Sequence, residues 1–499
     1  MSKAHFVLLP KSGLFGSAEQ GDADAMRAIP HVQAAERALP AHLEMAGRHA
    51  IRVLDSVSEV GPKLVEMDQS AGHALAGRHV PGPYRLFHVK YYRPAAIHPK
   101  DFNPKGLAEA QVSNADIESL SFTLTDSVTG NPVVGAKIAA YVDFSKQKGS
   151  PPVVTDNSGT ATVLWLKTIP TIESLYIFSP EPPIYWGIYR TNLAVTGSFS
   201  FAIEPVVPTS GDGLTALFPK TNFLADSGVL AGIVDTGVAQ HPALNLIGGE
   251  NLVQGEEAGD NGSSGNPHGT HVAGLVGAKG LMQGIAPGVK LRSYRVFGKG
   301  AENATNFAIL KGVNAAVRDN CDVVNLSLGV NEEDKVLEEA ITHARNHGAV
   351  VISAAGNDYG APVGYPASYP ICVAVSAIGR VGTFPKGSQP DGDVTSRHGT
   401  DPLNFVAAFS NIGKSLDFTG PGVGLISTVP GNAYGQMSGT SMSCPVVSGC
   451  AVCILSQDGA LLKAKRDRKR SDKLVAKLKK SASLLGFAPT DVGNGIPAC

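Results

Sequence analysis

Gly232-Ile233-Val234-Asp235-Thr236-Gly237, His268-Gly269-Thr270-His271-Val272-Ala273-Gly274 and Gly439-Thr440-Ser441-Met442-Ser443-Cys444-Pro445 are the stretches from which the rest of the chain is read. In order they supply a carboxylate, an imidazole and a hydroxyl. A serine hydroxyl is a poor nucleophile at neutral pH. A base must take its proton as it attacks, and a buried carboxylate must fix the tautomer of that base and stabilise the imidazolium. Asp235, His268 and Ser441 are the residue types for those tasks. Their local settings suit them. Gly232-Ile233-Val234 reads as the end of a buried strand with Asp235 at its tip and Thr236-Gly237 as the turn. His268 opens an apolar helix through Val272, Ala273, Leu275 and Val276, and Ser441 opens another over Met442–Leu455. A helix N-terminus offers free N–H groups and positive potential beside Ser441, where an oxyanion could form.

Working outward, helical and strand patterns alternate. Asn306–Arg318 carries apolar residues at Phe307, Leu310, Val313, Ala316 and Val317, and Asp322–Gly329 reads as a buried strand. Val336–His347 is a second helix, with Val336, Leu337, Ala340, Ile341 and Ala344 on one face, and feeds a strand at Ala349–Ala355. Another strand is expected at Ile371–Ala377. Such alternation implies an α/β unit whose mostly parallel sheet is covered on both faces. Its functional site is expected at the carboxyl ends of the strands.

The order Asp, His, Ser, with Val351-Ile352-Ser353-Ala354-Ala355-Gly356-Asn357 between the second and third, resembles the subtilisin-like serine proteases. The resemblance spans roughly residues 210–499 and implies a doubly wound, mostly parallel sheet. It implies that Asn357 donates to the tetrahedral oxyanion together with the Ser441 backbone N–H. It also implies that Ser327, Leu328 and Gly329 pair with extended substrate, and that Ala354, Ala355 and Gly356, with Gly364 and its neighbours Tyr365 and Pro366, wall the pocket for the residue before the cut. Asp358 reads either as a contact for a basic side chain or as a solvated loop carboxylate. The chain departs from the family at His241-Pro242-Ala243-Leu244, where many members carry an aspartate that helps bind calcium. Alanine cannot ligate a hard cation, so no cofactor is required on this reading and calcium dependence is expected to be weak. Pro267 stands where glycine usually precedes the histidine. His268 and His271 lack the glutamate of a zinc-binding H-E-x-x-H, so no metal site is assigned and His271 reads as structural.

Four segments are expected in all: an α+β domain over 1–98, a linker over 99–112, a β-sandwich over 113–205 and the protease-like domain over 206–499. In the sandwich, Leu120–Thr125, Ala136–Val142 and Gly159–Trp165 alternate between turns such as Val128–Pro132 and Thr155–Gly159, a small antiparallel pattern. In the first domain, Phe6–Leu9, Ile51–Val57 and Arg85–Tyr92 read as strands, and Gly61–Met67 and Gln69–Ala76 as helices. This domain resembles the inhibitory propeptides of the same family. Its tail, Arg93-Pro94-Ala95-Ala96, would then lie beside Ser327–Gly329 and exclude substrate.

A net charge of −1 in 499 residues calls for neither nucleic acid nor a membrane surface, and no apolar run reads as a span. The partners expected are a protein or peptide substrate and an activating protein that binds 113–205. The apolar run Phe6–Leu9 ends at Pro10, too short for a signal-peptide core. The six cysteines read as small buried residues rather than a disulfide framework, which suggests a reducing cytoplasm. The basic stretch Lys463–Lys480 reads as the solvated face of an amphipathic helix through Leu474 and Leu478. Three activities share these motifs: an endopeptidase, a transpeptidase or macrocyclase that passes the acyl group to an amine, and a non-catalytic peptide-binding scaffold.

Overall fold

The computed structural model describes residues 2–11, 51–58, 61–76, 84–107, 116–225 and 227–499. Strands β1 (Lys3–Pro10), β2 (Arg52–Ser56), β3 (Lys63–Asp68) and β4 (Tyr84–His88) form a sheet in the order β2-β3-β1-β4, with helix α1 (Gln69–Leu75) between β3 and β4. Two expectations fail here. The helix expected at Gly61–Met67 is strand β3, because a central position between β1 and β2 buries both faces of Lys63-Leu-Val-Glu-Met-Asp. Leu64, Val65 and Met67 fall on both faces of the strand, and over so short a stretch that spacing cannot be told from a helix turn. The single strand expected at Arg85–Tyr92 is divided into β4 and β5 (Tyr91–Pro94), and β5 leaves the N-terminal sheet.

The next unit is built from β6 (Lys105–Gly106), β7 (Ile117–Asp126), β8 (Lys137–Asp143), β9 (Lys148–Gly149), β10 (Val153–Val154), β11 (Thr160–Leu166), β12 (Thr171–Phe178), β13 (Ile188–Ala194) and β14 (Ser198–Ile203). One sheet runs β13-β12-β8-β9-β6 with β10 paired to β8, and the other runs β11-β7-β14. Inward residues of both, among them Leu120, Phe122, Ile138, Val163, Trp165 and Ile177, form one core. Pairing is mainly antiparallel, but β14 runs parallel to β7 and β6 parallel to β9. Thus Lys105–Gly106, within the stretch read as linker, is a strand of this sheet. Residues 108–112 of that linker lie outside the described residues.

The largest sheet takes the order β16-β17-β15-β19-β21-β22-β23, with β24 paired to β22. Its members are β15 (Leu230–Asp235), β16 (Leu246–Asn251), β17 (Lys290–Arg295), β19 (Val323–Leu326), β21 (Val350–Ala354), β22 (Val373–Arg380), β23 (Asn404–Val406) and β24 (Phe418–Pro421). All pairs are parallel except β22–β23. Alternate residues feed two cores, as a strand's two-residue period requires. Ile233, Val323, Val350 and Ile352 face one, with helices α2 (His268–Gly277) and α5 (Thr440–Gln457). Val234, Val324 and Val351 face the other, with α3 (Asn306–Arg318) and α4 (Lys335–Asn346). Helix α5 is apolar enough over its length to span a bilayer, but 89% of it is buried in this core. It is therefore the central helix of the fold.

Both preceding units dock on this one. Val7, Leu9 and Leu64 share a cluster with Phe307, Leu310 and Val336, flanked by ion pairs Lys311–Asp55 and Arg85–Glu339. Trp186 packs among Phe384, Phe405 and Phe409, and the backbones of Gly187 and Gln389 are hydrogen-bonded at 2.8 Å. The basic stretch forms α6 (Arg468–Ser481), with Leu474 and Leu478 buried as expected. Arg470 is also buried and, with Arg466, pairs Asp322, so part of that charge serves internal pairing.

The expectation of cysteines without disulfides is overturned for one pair. Cys453 and Cys499 are bonded, with Cα atoms 5.6 Å apart, and the other four are free and buried. The C-terminal Ile496–Pro497 pairs with Ala482–Ser483 and returns the chain end to α5. A separation of 46 residues gave no local signal of this contact.

Candidate active site

Asp235 is the last residue of β15 and His268 the first of α2. His268 Nδ1 lies 2.7 Å from Asp235 Oδ1, and both side chains are almost wholly buried. The Thr236 N–H also donates to Asp235 Oδ1, and Thr236 Oγ1 accepts the N–H of Gly269. The turn after the strand thereby fixes the start of the helix. Asn266 Oδ1 accepts the His268 N–H at 2.9 Å across Pro267, the residue at the helix entry, a contact that was not read from the sequence. His271, one turn on, holds the Leu425 carbonyl through Nε2, and complete burial pushes its pKa down to about 3. It is a neutral structural residue, as expected.

Ser441 stands at the start of α5, fully buried. Its Oγ donates to the Ser327 carbonyl at 2.9 Å, and His268 Nε2 has no hydrogen-bond partner. The hydroxyl and the imidazole are thus not joined in this arrangement. Asn357 follows the end of β21. Its Oδ1 accepts both the backbone N–H and the hydroxyl of Thr440, each at 2.9 Å. This turns Nδ2 toward Gly439. Gly439 has φ = 146°, and a Cβ there would meet Asn357 Nδ2 at 3.2 Å, the Ala95 carbonyl oxygen at 2.6 Å and Ala96 Cα at 2.7 Å. Only glycine serves where three groups converge on a left-handed residue.

The Ala95 oxygen is there because the chain's own residues 91–97 run through the cleft. β5 is flanked by β18 (Ala304–Thr305) on one side and β20 (Leu328–Gly329) on the other, both antiparallel. The Ala95 N–H donates to the Ser327 carbonyl at 3.1 Å, the Ser441 N–H donates to the Ala95 carbonyl at 2.8 Å, and the Ile97 N–H donates to the Ser438 carbonyl at 2.8 Å. The sequence placed this tail beside Ser327–Gly329, and the structure does the same. Beyond it, His98 meets Glu181, Lys100 meets Glu302, and Lys137 donates to the Pro99 carbonyl. A cavity of about 600 Å³ lies along this strap, with His268, Pro267 and Ser438 on one wall and Ser179 and Glu181 of the sandwich on another.

The remaining expected residues are distributed as follows. Leu328 and Gly329 pair with the strap. Ala354 shares its buried cluster with Ala95, whereas Ala355 belongs to a smaller cluster with Val363 and Leu416. Gly356 donates its N–H to Thr440 Oγ1, and Gly364 donates to the Ala355 carbonyl. These three support the site's backbone. Asp358 is exposed and tied to Asn411. Asn325 escaped sequence reading: it is buried, donates to Ser327 Oγ, and accepts from Ser448 and Cys444, while Ser327 Oγ donates to the Ser441 carbonyl. Only its position beneath the site marks it. At Ala243 the structure does not fit calcium. The residue is buried, its carbonyl accepts the Lys279 N–H, and it carries no carboxylate.

A parallel α/β sheet with an aspartate, a histidine and a serine gathered at its carboxyl end, under an extended peptide, defines a serine endopeptidase. The chain belongs to the subtilase family, whose profile matches residues 226–491. Over 267 residues it is 35% identical to Subtilisin BL of Lederbergia lenta, covering 53% of this chain and 86% of that protein. It is 36% identical over 238 residues to Subtilisin DY of Bacillus licheniformis, covering 46% and 77%. A thermostable alkaline protease of Halalkalibacterium halodurans matches over 340 residues at 30%, covering 65% and 84%.

Proposed function

We propose that this chain hydrolyses peptide bonds through an acyl-enzyme on Ser441 and that its own N-terminal segment restrains it. The observation that carries this is the strap. Three backbone hydrogen bonds, at Ala95 N–H, Ala95 C=O and Ile97 N–H, hold the Ala95–Ala96 peptide as an extended substrate would be held. In the reaction, Ser441 Oγ leaves the Ser327 carbonyl and passes its proton to His268 Nε2 as it attacks the carbonyl carbon. Asp235 holds the other ring nitrogen and stabilises the imidazolium. Charge then builds on an oxygen placed between the Ser441 N–H and Asn357 Nδ2. His268 returns the proton to the departing nitrogen, and water repeats the sequence on the acyl-enzyme.

The same strap supports the restraint. While it lies there, no other peptide can pair with Leu328–Gly329. Its Ala95 N–H and the Ser441 hydroxyl also both point at the Ser327 carbonyl, so the nucleophile rests away from its base. Release of residues before Ala96, or separation of the sandwich by a bound protein, would open the cleft. The test is to incubate full-length wild type and Ser441→Ala and to map chain ends by mass spectrometry. A Ser441-dependent N-terminus at Ala96, and then new termini in an added unfolded protein, is the expected result. Ligated or cyclised products would move the assignment to acyl transfer onto amines. A fluorophosphonate probe that never reaches Ser441, even in the opened enzyme, would favour the scaffold.

A further inference from the structure

Along the part of the strap before Ala96, only two side chains are buried: Ala95 and Tyr92. Tyr91 and Arg93 are exposed, and Pro94 is half-buried. Tyr92 is completely covered. Its ring enters an apolar cluster containing Ala304, Phe307, Leu328 and Val336. Its hydroxyl does not reach water. It lies 2.9 Å from Asp334 Oδ2, a carboxylate itself 3% exposed.

Asp334 is held on every side. Its Oδ1 accepts the Val336 N–H and caps helix α4. Its N–H donates to Tyr369 Oη, and Tyr369 Oη donates to its carbonyl. The carboxylate therefore cannot swing out when a different side chain arrives. Burial raises its pKa, and the bond to Tyr92 is the leading influence that pulls it back. A phenylalanine in the same place would fill the apolar part equally well but take the leading side-chain donor away from this buried carboxylate, leaving it the Asn306 amide and the Val336 N–H. A site built around a substrate hydroxyl discriminates strongly against the analogue without it, because the buried partner is left unpaired.

We propose that Asp334 is a specificity-determining residue, and that this cleft selects peptides with a tyrosine three residues before a small residue at the cut, in the pattern Tyr-x-x-Ala. The inference rests on the reading of residues 91–97 as a substrate mimic. The exposed intervening positions accept a range of side chains, and selection is concentrated at the two buried ones.

Two measurements on the full-length chain test it. The first needs no catalysis. In a Ser441→Ala background, amide hydrogen exchange is followed in the fragment covering residues 91–97 for the parent, Tyr92→Phe, Asp334→Ser and the double variant. Serine retains the helix cap, and melting curves confirm folding. Tyr92→Phe should speed exchange about tenfold when Asp334 is present and less than about twofold when it is serine. Additive effects would overturn the proposal. The second, made after limited proteolysis has released the strap from the full-length protein, compares peptides that differ only by Tyr or Phe at this position as substrates of the wild-type chain and Asp334→Ser. About tenfold preference for tyrosine in kcat/KM, lost in the variant through a fall on the tyrosine peptide alone, is expected. Equal rates for the two peptides with wild type would overturn it. If no peptide is cut even with the strap released but the exchange coupling is present, the recognition stands and the peptidase reading fails.

Discussion

Replacing Asn357 by alanine should separate two effects that the proposed mechanism places at opposite ends of one amide. Oδ1 holds the buried N–H and hydroxyl of Thr440. The hydroxyl keeps a second contact, accepting the Gly356 N–H, but the Thr440 N–H is left without a partner. One unpaired buried donor costs about 1–3 kcal/mol of folding stability. At the other end, Nδ2 shares the space around Gly439 with the Ala95 carbonyl oxygen, where negative charge would develop. Loss of such a donor costs about 2.7–4 kcal/mol in the transition state, roughly a hundred- to a thousandfold in kcat. KM should change little, because a ground-state carbonyl draws weakly on this donor. Asn357→Asp tests the division. It keeps an acceptor for Thr440 and so most of the stability, but turns a carboxylate oxygen toward the oxyanion and should slow turnover at least as much. Steady-state and single-turnover kinetics on the opened enzyme, with thermal melts alongside, read the two effects separately. An alanine variant with normal kcat and a raised KM would refute the assignment of Nδ2.

Other outcomes follow from the same geometry. His271 has its pKa depressed to about 3 by burial, so the folded chain binds fewer protons than the unfolded one at acid pH. Its contribution to stability should be complete above about pH 6.5 and should decline as pH falls toward 3. His271→Gln, which keeps an N–H for the Leu425 carbonyl, should flatten that part of a denaturant-derived stability profile. The Cys453–Cys499 bond closes a 46-residue interval, for which chain entropy gives about 4 kcal/mol. Cys499→Ser should lower stability by up to that amount under oxidising conditions, and a reductant should abolish the difference between variant and parent. Chelation should leave the melting temperature within about 2 °C, since Ala243 supplies no ligand oxygen from its side chain. A larger fall would reveal an oxygen site elsewhere.

The parts legible in sequence are those where chemistry or period leaves few choices. Asp235, His268 and Ser441 stood out because each sits at a glycine-marked junction between strand or loop and helix, and the alternation of apolar strands with amphipathic helices announced a sheet covered on both faces. The sandwich strands were visible for the same reason. What failed was local pattern without context. Lys63–Asp68 is buried on both faces because it is central in its sheet, so Leu64 and Val65 stand side by side without a strand's alternation and the segment read as helix. The parallel pairing of β14 with β7 joins segments about 80 residues apart, beyond any turn signal. Asn325 is polar in a strand of apolar residues, an anomaly whose meaning needs Ser327, Cys444 and Ser448 beside it. The contact of Tyr92 with Asp334 spans 242 residues, and no reading of either neighbourhood would pair them.

If the strap restrains the enzyme as proposed, its continuity with the rest of the chain sets the molecularity of that restraint. While Ala95 and Ala96 share a peptide bond, closure is unimolecular. The cleft meets its occupant at an effective concentration fixed by the flanking contacts, about millimolar for a short tether, whatever the amount of protein present. Weak intrinsic affinity is then enough. Once that bond opens, the N-terminal piece is a separate molecule, and its hold becomes bimolecular. The same contacts that were insensitive to concentration would then yield to dilution, so transfer from a crowded compartment to a larger volume would itself switch the enzyme on.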